Sequence, residues 1–157
     1  MSLNPLRPAE FFRTPWAGAG EWRPRPWVRW AAGPASFRFE SSATWLTDEV
    51  WLVHDTTSWD DGRVERRDGT ARLVAPDRIR LSYDDMPGGT ELRLREDGFT
   101  FDPYAMLVAV PLVPVAVVLQ ARDECRWDGS ARELTDTIDL SVLGLPLGRQ
   151  QMRLHPE

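Results

Sequence analysis

The sequence predicts an all-β chain: one up-and-down antiparallel β-barrel of about nine or ten strands, with a short helical turn at its N-terminus. Three observations carry that prediction. Short β-rich runs alternate with turn signals at intervals of about eight to twelve residues. No segment of ten or more residues repeats its apolar positions with a helical period. Consecutive runs are joined by tight turns, which builds meander order, and closing such a sheet removes its exposed edges. No internal repeat or linker interrupts the pattern. Residues 1–157 therefore read as a single domain, with a cap segment over 1–13 and the barrel over 14–155.

The elements follow in order. Pro8-Ala-Glu-Phe-Phe12 suits one helical turn whose two phenylalanines cover a barrel end. Trp16-Ala-Gly-Ala-Gly-Glu-Trp22 reads as the first strand, with glycines where the backbone passes close to a neighbour. Arg23 to Pro26 cannot be a central strand, because proline donates no ladder hydrogen bond. Four of the eight tryptophans lie between Trp16 and Trp30, so the arginine–proline continuation is expected to form a rim or lid over the barrel mouth. From Phe37 the period is two: Phe37, Phe39, Ser41, Ala43 and Trp45 share one face. Val50 to Trp59 and Val64 to Val74 flank the hairpin signal Asp60-Asp61-Gly62. Arg78 to Tyr83, Thr90 to Arg95 and Phe99 to Tyr104 follow, then an apolar run, Val113 to Trp127, Leu134 to Leu140 and Leu147 to Leu154.

Composition bounds the function. A chain of 157 residues buries roughly 70% of the surface it exposes when unfolded. The net charge of -5 argues against a nucleic-acid partner, although Arg-Pro-Arg-Pro-Trp27-Val-Arg-Trp30 interleaves cations with stacking rings. All 19 basic residues are arginine. The single cysteine, Cys125, excludes an intrachain disulfide framework and thiolate metal clusters. No signal peptide is visible, and the apolar run Ala105 to Leu119 is too short and too broken by Pro111 and Pro114 to span a membrane. A soluble cytoplasmic protein without a membrane partner is the expectation.

Three stretches carry a resemblance. Trp16-x-Gly18-x-Gly20, Val64-Glu-Arg-Arg-Asp-Gly69-Thr-Ala-Arg72 and Leu140-Ser-Val-Leu-Gly144-Leu-Pro146-Leu147 resemble the nitrobindin family, a fatty-acid-binding-protein-like branch of the lipocalin-type (calycin) barrels. Gly20-Glu21-Trp22 is similar to the Gly-x-Trp of the wider lipocalin group, in which an arginine of the last strand packs on the tryptophan. Arg149 or Arg153 would supply it here. The resemblance implies a haem held by a histidine of the last strand. The matching position is Gln150, or Arg149 one residue away, and neither ligates haem iron. The family's histidine-and-glutamate pattern before Gly69 is replaced by Glu65 and Arg67. The barrel is carried over and the haem is not, so no cofactor and no metal are expected.

The candidate site residues are polar or aromatic positions whose strand parity points inward. Asp136 shares a face with Leu134, Ile138 and Leu140. A carboxylate on an apolar face must be protonated, paired with arginine, or wet; alternatively it anchors a ligand or acts as a general acid or base. His54 shares a face with Val50, Leu52 and Thr56, either as a hydrogen-bonded structural residue or as a base oriented by Asp136. Tyr83 follows Ile79 and Leu81, with its hydroxyl offered to a ligand or water. Asp84-Asp85 reads as a solvated turn. The expected function is binding of a small, mostly hydrophobic molecule, with Trp16, Phe39, Trp45 and Tyr104 lining the cavity and His54, Tyr83, Asp136 and Gln150 as polar handles. The alternative is a cofactor-independent isomerase, cyclase or dehydratase with His54, Tyr83 and Asp136 as its acid/base residues.

Overall fold

The computed structural model describes residues 7–109 and 114–157. Helix α1 (Pro8–Arg13) leads into β1 (Trp16–Pro24), a short 3₁₀ turn (Pro26–Val28), β2 (Ala35–Thr47), β3 (Val50–Trp59) and β4 (Val64–Ala75). Then come β5 (Arg78–Tyr83), β6 (Thr90–Arg95), β7 (Gly98–Phe101), β8 (Tyr104–Ala109), β9 (Ala116–Asp128), β10 (Glu133–Val142) and β11 (Leu145–Pro156). Residues 110–113 of the predicted Ala105–Leu119 run, and 1–6 of the cap segment, lie outside the described residues.

All pairings are antiparallel, and the sheet closes on itself through β1–β11 and β9–β10 into a barrel of ten strand positions. One predicted strand is broken. Phe99 to Tyr104 splits at Asp102-Pro103 into β7 and β8, which lie one after the other along the same edge of β9. Pro103 has no N–H for the ladder, and Asp102 turns aside to donate its N–H to the Glu91 carbonyl at 2.8 Å. Turn chemistry fits the positive φ values of Gly62, Gly88, Gly89 and Gly144. β1 runs further than expected, to Pro24, which is tolerated because it stands at the strand's end.

The interior has a packed end and an open end. At the packed end Phe11 and Phe12 of α1 meet Trp16, Phe99 and Trp51 at ring-centroid distances of 5.0–5.3 Å. Trp16 in turn meets Trp127 edge-on at 5.8 Å. Trp51 is only 2% exposed. A Trp51→Ala variant is expected to lose about 3–5 kcal/mol of stability, as large-to-small core changes do, read from the midpoint of urea unfolding. At the open end the 3₁₀ turn holds Val28 buried and leaves Trp27 and Trp30 exposed, with Trp27 Nε1 donating to the Pro146 carbonyl at 3.1 Å. Among the described residues no helix is long and apolar enough to cross a membrane.

The expected arginine stack on Trp22 is not made. Arg149 points outward and pairs with Asp139 at 2.8 Å, Arg153 faces Glu133, and Trp22 lies against Gly148, where an added Cβ would meet its ring at 2.5 Å. Strand parity decides this: Trp22 pairs with Gln150, so Gln150 shares its inward face while Arg149 and Arg153 take the other.

Candidate functional site

The barrel encloses a cavity of about 1220 Å³ that reaches from the phenylalanines of α1 to the tryptophans of the rim. Its walls are mainly aromatic and aliphatic. Trp16, Phe39, Phe101, Leu119 and Ile138 contribute at different depths, and Gln150 reaches it from β11. The register of β1 on β2 pairs Gly18 with Phe39 and Gly20 with Phe37, and Gly20 leaves room for the Phe37 ring.

Two polar groupings stand in this apolar wall. The first is built by cross-strand register. Ser41 on β2 lies opposite Asp55 on β3, and Asp55 lies opposite Arg67 on β4, so the three form a row on one face. Gly69 lies opposite Tyr83 and leaves space for its ring; an added Cβ would stand 2.6 Å from it. Tyr83 thereby reaches across to donate its hydroxyl to Asp55 Oδ2 at 2.5 Å. The Arg67 guanidinium sits 4.1 Å from the centroid of the Tyr83 ring and pairs with Asp85 at 2.7 Å. Asp85 was expected in a solvated turn; it is half-buried instead, because Arg67 draws it over the cavity. Burial pushes the Asp55 carboxyl up, against the lowering effects of Ser41, Tyr83 and Arg67. For Arg67, burial pulls the guanidinium down, but the bond and charge of Asp85 outweigh it and leave it raised.

The second grouping lies on β8, β9 and β10. Asp123 and Cys125 are two apart on β9 and share its inward face; Asp136 on β10 lies opposite Cys125. One ligand-type atom from each of the three comes within 4.8 Å of the others. The Tyr104 hydroxyl donates to Asp123 Oδ2 at 3.0 Å. Burial, then the Asp136 charge, push the Asp123 carboxyl well above the usual range. Burial also raises Asp136, partly offset by its neighbours Asp123 and Cys125. Two carboxyls this close in a dry setting share a proton. Burial and Asp136 push the Cys125 thiol far up, so it stays protonated. Burial raises both tyrosine hydroxyls as well.

The chain's fold has solved counterparts. The crystal structure of Rv2717c from M. tuberculosis matches with a TM-score of 0.66 at 18% identity, covering 100% of this chain and 99% of that one. The structure of EF1p2_mFAP2b bound to DFHBI matches at a TM-score of 0.48 and 10% identity, covering 97% of this chain and 98% of that one. No family model and no curated protein matches the sequence. The first likeness matches the architecture: a ten-strand antiparallel closed barrel with one short helix.

Two expected site residues are not in the cavity. His54 stands on the outer face of β3, where its Nδ1 lies 2.7 Å from Asp68 and its Nε2 3.4 Å from Thr44. Both faces of β3 carry apolar residues, so parity alone is ambiguous; Trp51, Val53 and Asp55 take the inside. Trp45 pairs with Trp51 but sits at the strand's end beside a bulge, 56% exposed and beyond the cavity wall. Trp16, Phe39, Tyr83, Tyr104, Asp136 and Gln150 all border the cavity.

The sequence reading missed Asp55, Arg67, Asp123 and Cys125. For β9 the signal existed: Leu119, Ala121, Asp123, Cys125 and Trp127 alternate in step with the inward face. The residues present do not fit a histidine-ligated haem. His54 is outside, and His155 lies at the barrel surface beside the Arg132 carbonyl at 3.2 Å.

Proposed function

We propose that this barrel binds one small, mostly apolar molecule in its interior and is a nitrobindin-like barrel that has given up the haem. The observation that supports the reading is the cavity itself: about 1220 Å³, aromatic-walled and open at the tryptophan rim, with a few polar groups set in its wall. That combination of an apolar body and a few convergent polar atoms is the usual form of a small-molecule site. Gln150, in the position of the family's ligand histidine, supplies an amide hydrogen bond in place of a metal bond.

The test is titration with Nile red, a neutral apolar fluorophore, followed by its emission. Saturable one-to-one binding with a blue-shifted spectrum is expected. Ile138→Trp, which puts a large ring into the cavity, is expected to weaken it at least about tenfold, a loss of about 1.4 kcal/mol. Binding that never saturates, or that the Ile138→Trp variant leaves unchanged while its circular dichroism stays native, would remove the interior-binding reading. Haemin added to the same protein is expected to give no Soret band of fixed stoichiometry.

The alternative, a cofactor-independent enzyme using His54 with Tyr83 and Asp136, loses its base, since His54 lies outside the barrel. An acid/base role for the interior carboxyls keeps one supporting observation: Asp55 and Asp123 each accept a hydrogen bond from a buried tyrosine. Mass spectrometry of the bound molecule before and after incubation separates binding from turnover.

A further inference from the structure

We infer that the Asp123–Asp136 pair is the seat for one ammonium-type cation, and that the ligand class of the cavity is an apolar molecule ending in a protonated amine. This deepens the interior-binding reading and rests on it.

The pair has unused acceptor capacity. Oδ1 of Asp123 and Oδ1 of Asp136 are both hidden from solvent and have no hydrogen-bond partner. Asp136 is 7% exposed, and what remains of its surface faces the cavity. A buried acceptor left unmade costs about 1–3 kcal/mol; the shared proton serves one contact between the carboxyls, and the acceptor capacity left over is open to a donor from outside the chain. The hydroxyls are spent elsewhere, Tyr104 on Asp123 Oδ2 and Tyr83 on Asp55, and the Cys125 thiol and Thr137 N–H already serve Asp136.

Charge fixes the sign of the missing group. The carboxyls inside or over the cavity are Asp55, Asp85, Asp123 and Asp136. Among the described residues at that depth, Arg67 is the one cation, and it is committed to Asp85 and to the face of Tyr83. The other arginines of the cavity, Arg63 and Arg66, stand toward the mouth beside Asp60, Asp61 and Glu65. A carboxylate head group entering here would meet acid on two walls. A pair sharing one proton carries one negative charge, the complement of one ammonium. The rings of Phe101 and Tyr104 line the same cavity, and aromatic faces favour a cation. A divalent metal is the competing occupant. Zn²⁺ usually takes four ligands, imidazoles among them, and Ca²⁺ and Mg²⁺ take about six or more oxygens, whereas the cluster offers two carboxyls and one thiol and no imidazole reaches the cavity among the described residues.

The experiment is calorimetric titration of the whole chain at pH 7 with decylamine, decan-1-ol and decanoate, which share a tail and differ in head group. The expected order is amine, then alcohol, then carboxylate, with the amine about 10- to 100-fold tighter than the alcohol, the range a charged hydrogen bond spans. Asp136→Asn is expected to erase that preference, bringing the amine within about twofold of the alcohol. If Asp136→Asn fails to fold, the head-group order in the unmodified protein decides without it. An alcohol that binds as well as the amine, or a decanoate that binds best, overturns the inference and leaves interior binding standing. If none of the three binds, the interior-binding reading falls and the inference with it. Zn²⁺ is titrated alone in parallel. Stoichiometric Zn²⁺ binding that is lost in Cys125→Ser, with no amine preference, would reassign the pair to a metal and also overturn it.

Discussion

Gly18→Ala is expected to cost about 3 kcal/mol or more, the upper range for forcing atoms into a packed structure and a large share of a typical domain's 5–15 kcal/mol. Gly18 lies on β1, where the first strand meets the last. A Cβ there would stand 1.8 Å from the Arg153 carbonyl oxygen and 2.8 Å from its carbon. Both are backbone atoms, so no side chain can swing aside; the strands themselves must part. Urea unfolding followed by tryptophan emission gives the midpoint. Gly33→Ala is the control, because nothing lies within 4 Å of a Cβ at that position. A Gly18→Ala midpoint equal to that of the control would show that the seam admits a methyl without loss.

The ligand-free protein is expected to become less stable as pH rises from mildly acidic to neutral. Asp55, Asp123 and Asp136 all hold their protons more tightly when folded than the ordinary value of 3.8. Between that value and the raised one, the folded chain binds more protons than the unfolded chain, so stability falls with pH across the window and levels off above it. The groups facing the pair are Tyr104 from β8, Cys125 from β9, Arg67 from β4 and Asp55 from β3. Of these, Tyr104 through its hydrogen bond and Arg67 through its charge oppose the rise of Asp123.

Asp61 and Asp128 act the other way. Their hydrogen bonds to neighbouring backbone and side chains lower them, so their contribution is present above 3.8 and is lost as pH falls through the lowered values. The melting temperature is therefore expected to peak near about pH 4–5. Cys125, raised above 9.0, and the two tyrosines, raised above 10.0, add a second decline on the alkaline side. Melting curves taken from pH 3 to pH 9 in steps of about one unit check this, and Asp123→Asn is expected to flatten the middle of the profile. A melting temperature that climbs steadily from acid to neutral pH would show that the interior carboxyls are ionised and paired.

How much of this could be read from the residues differs by element. The strands were legible because turn residues and period-two patterns agree: Val50–Trp59, Arg78–Tyr83 and Thr90–Arg95 have the expected bounds. The cap helix was legible because Pro8 opens it and two adjacent phenylalanines need a surface to cover. Asp136 stood out because one face of β10 is otherwise apolar. Its partner Asp123 did not, because β9 grows out of an apolar run whose two faces look alike until Arg122 and Glu124 mark the outer one. His54 was misplaced for a related reason. On β3 the residues Val50 and Leu52 are as apolar as Trp51 and Val53, and only the cross-strand partners Ser41 and Arg67 show that Asp55 is the inward position. Which carboxyls meet is a property of register between strands distant in sequence, and a single strand's pattern does not contain it.

The pairing of Trp16 with Pro156 also sets an order of assembly. The hairpins from β2 to β6 join neighbours in sequence and form from local contacts. The contact between β1 and β11 spans almost the whole chain, and contacts of that separation form late and slowly. Until they form, the molecule is an open, curved sheet with two unpaired edges, which is the form most prone to pairing with another copy of itself. The acid pair on β9 and β10 belongs to the same late half of the chain, so its enclosure, and with it the proton it shares, arrives only when the barrel shuts.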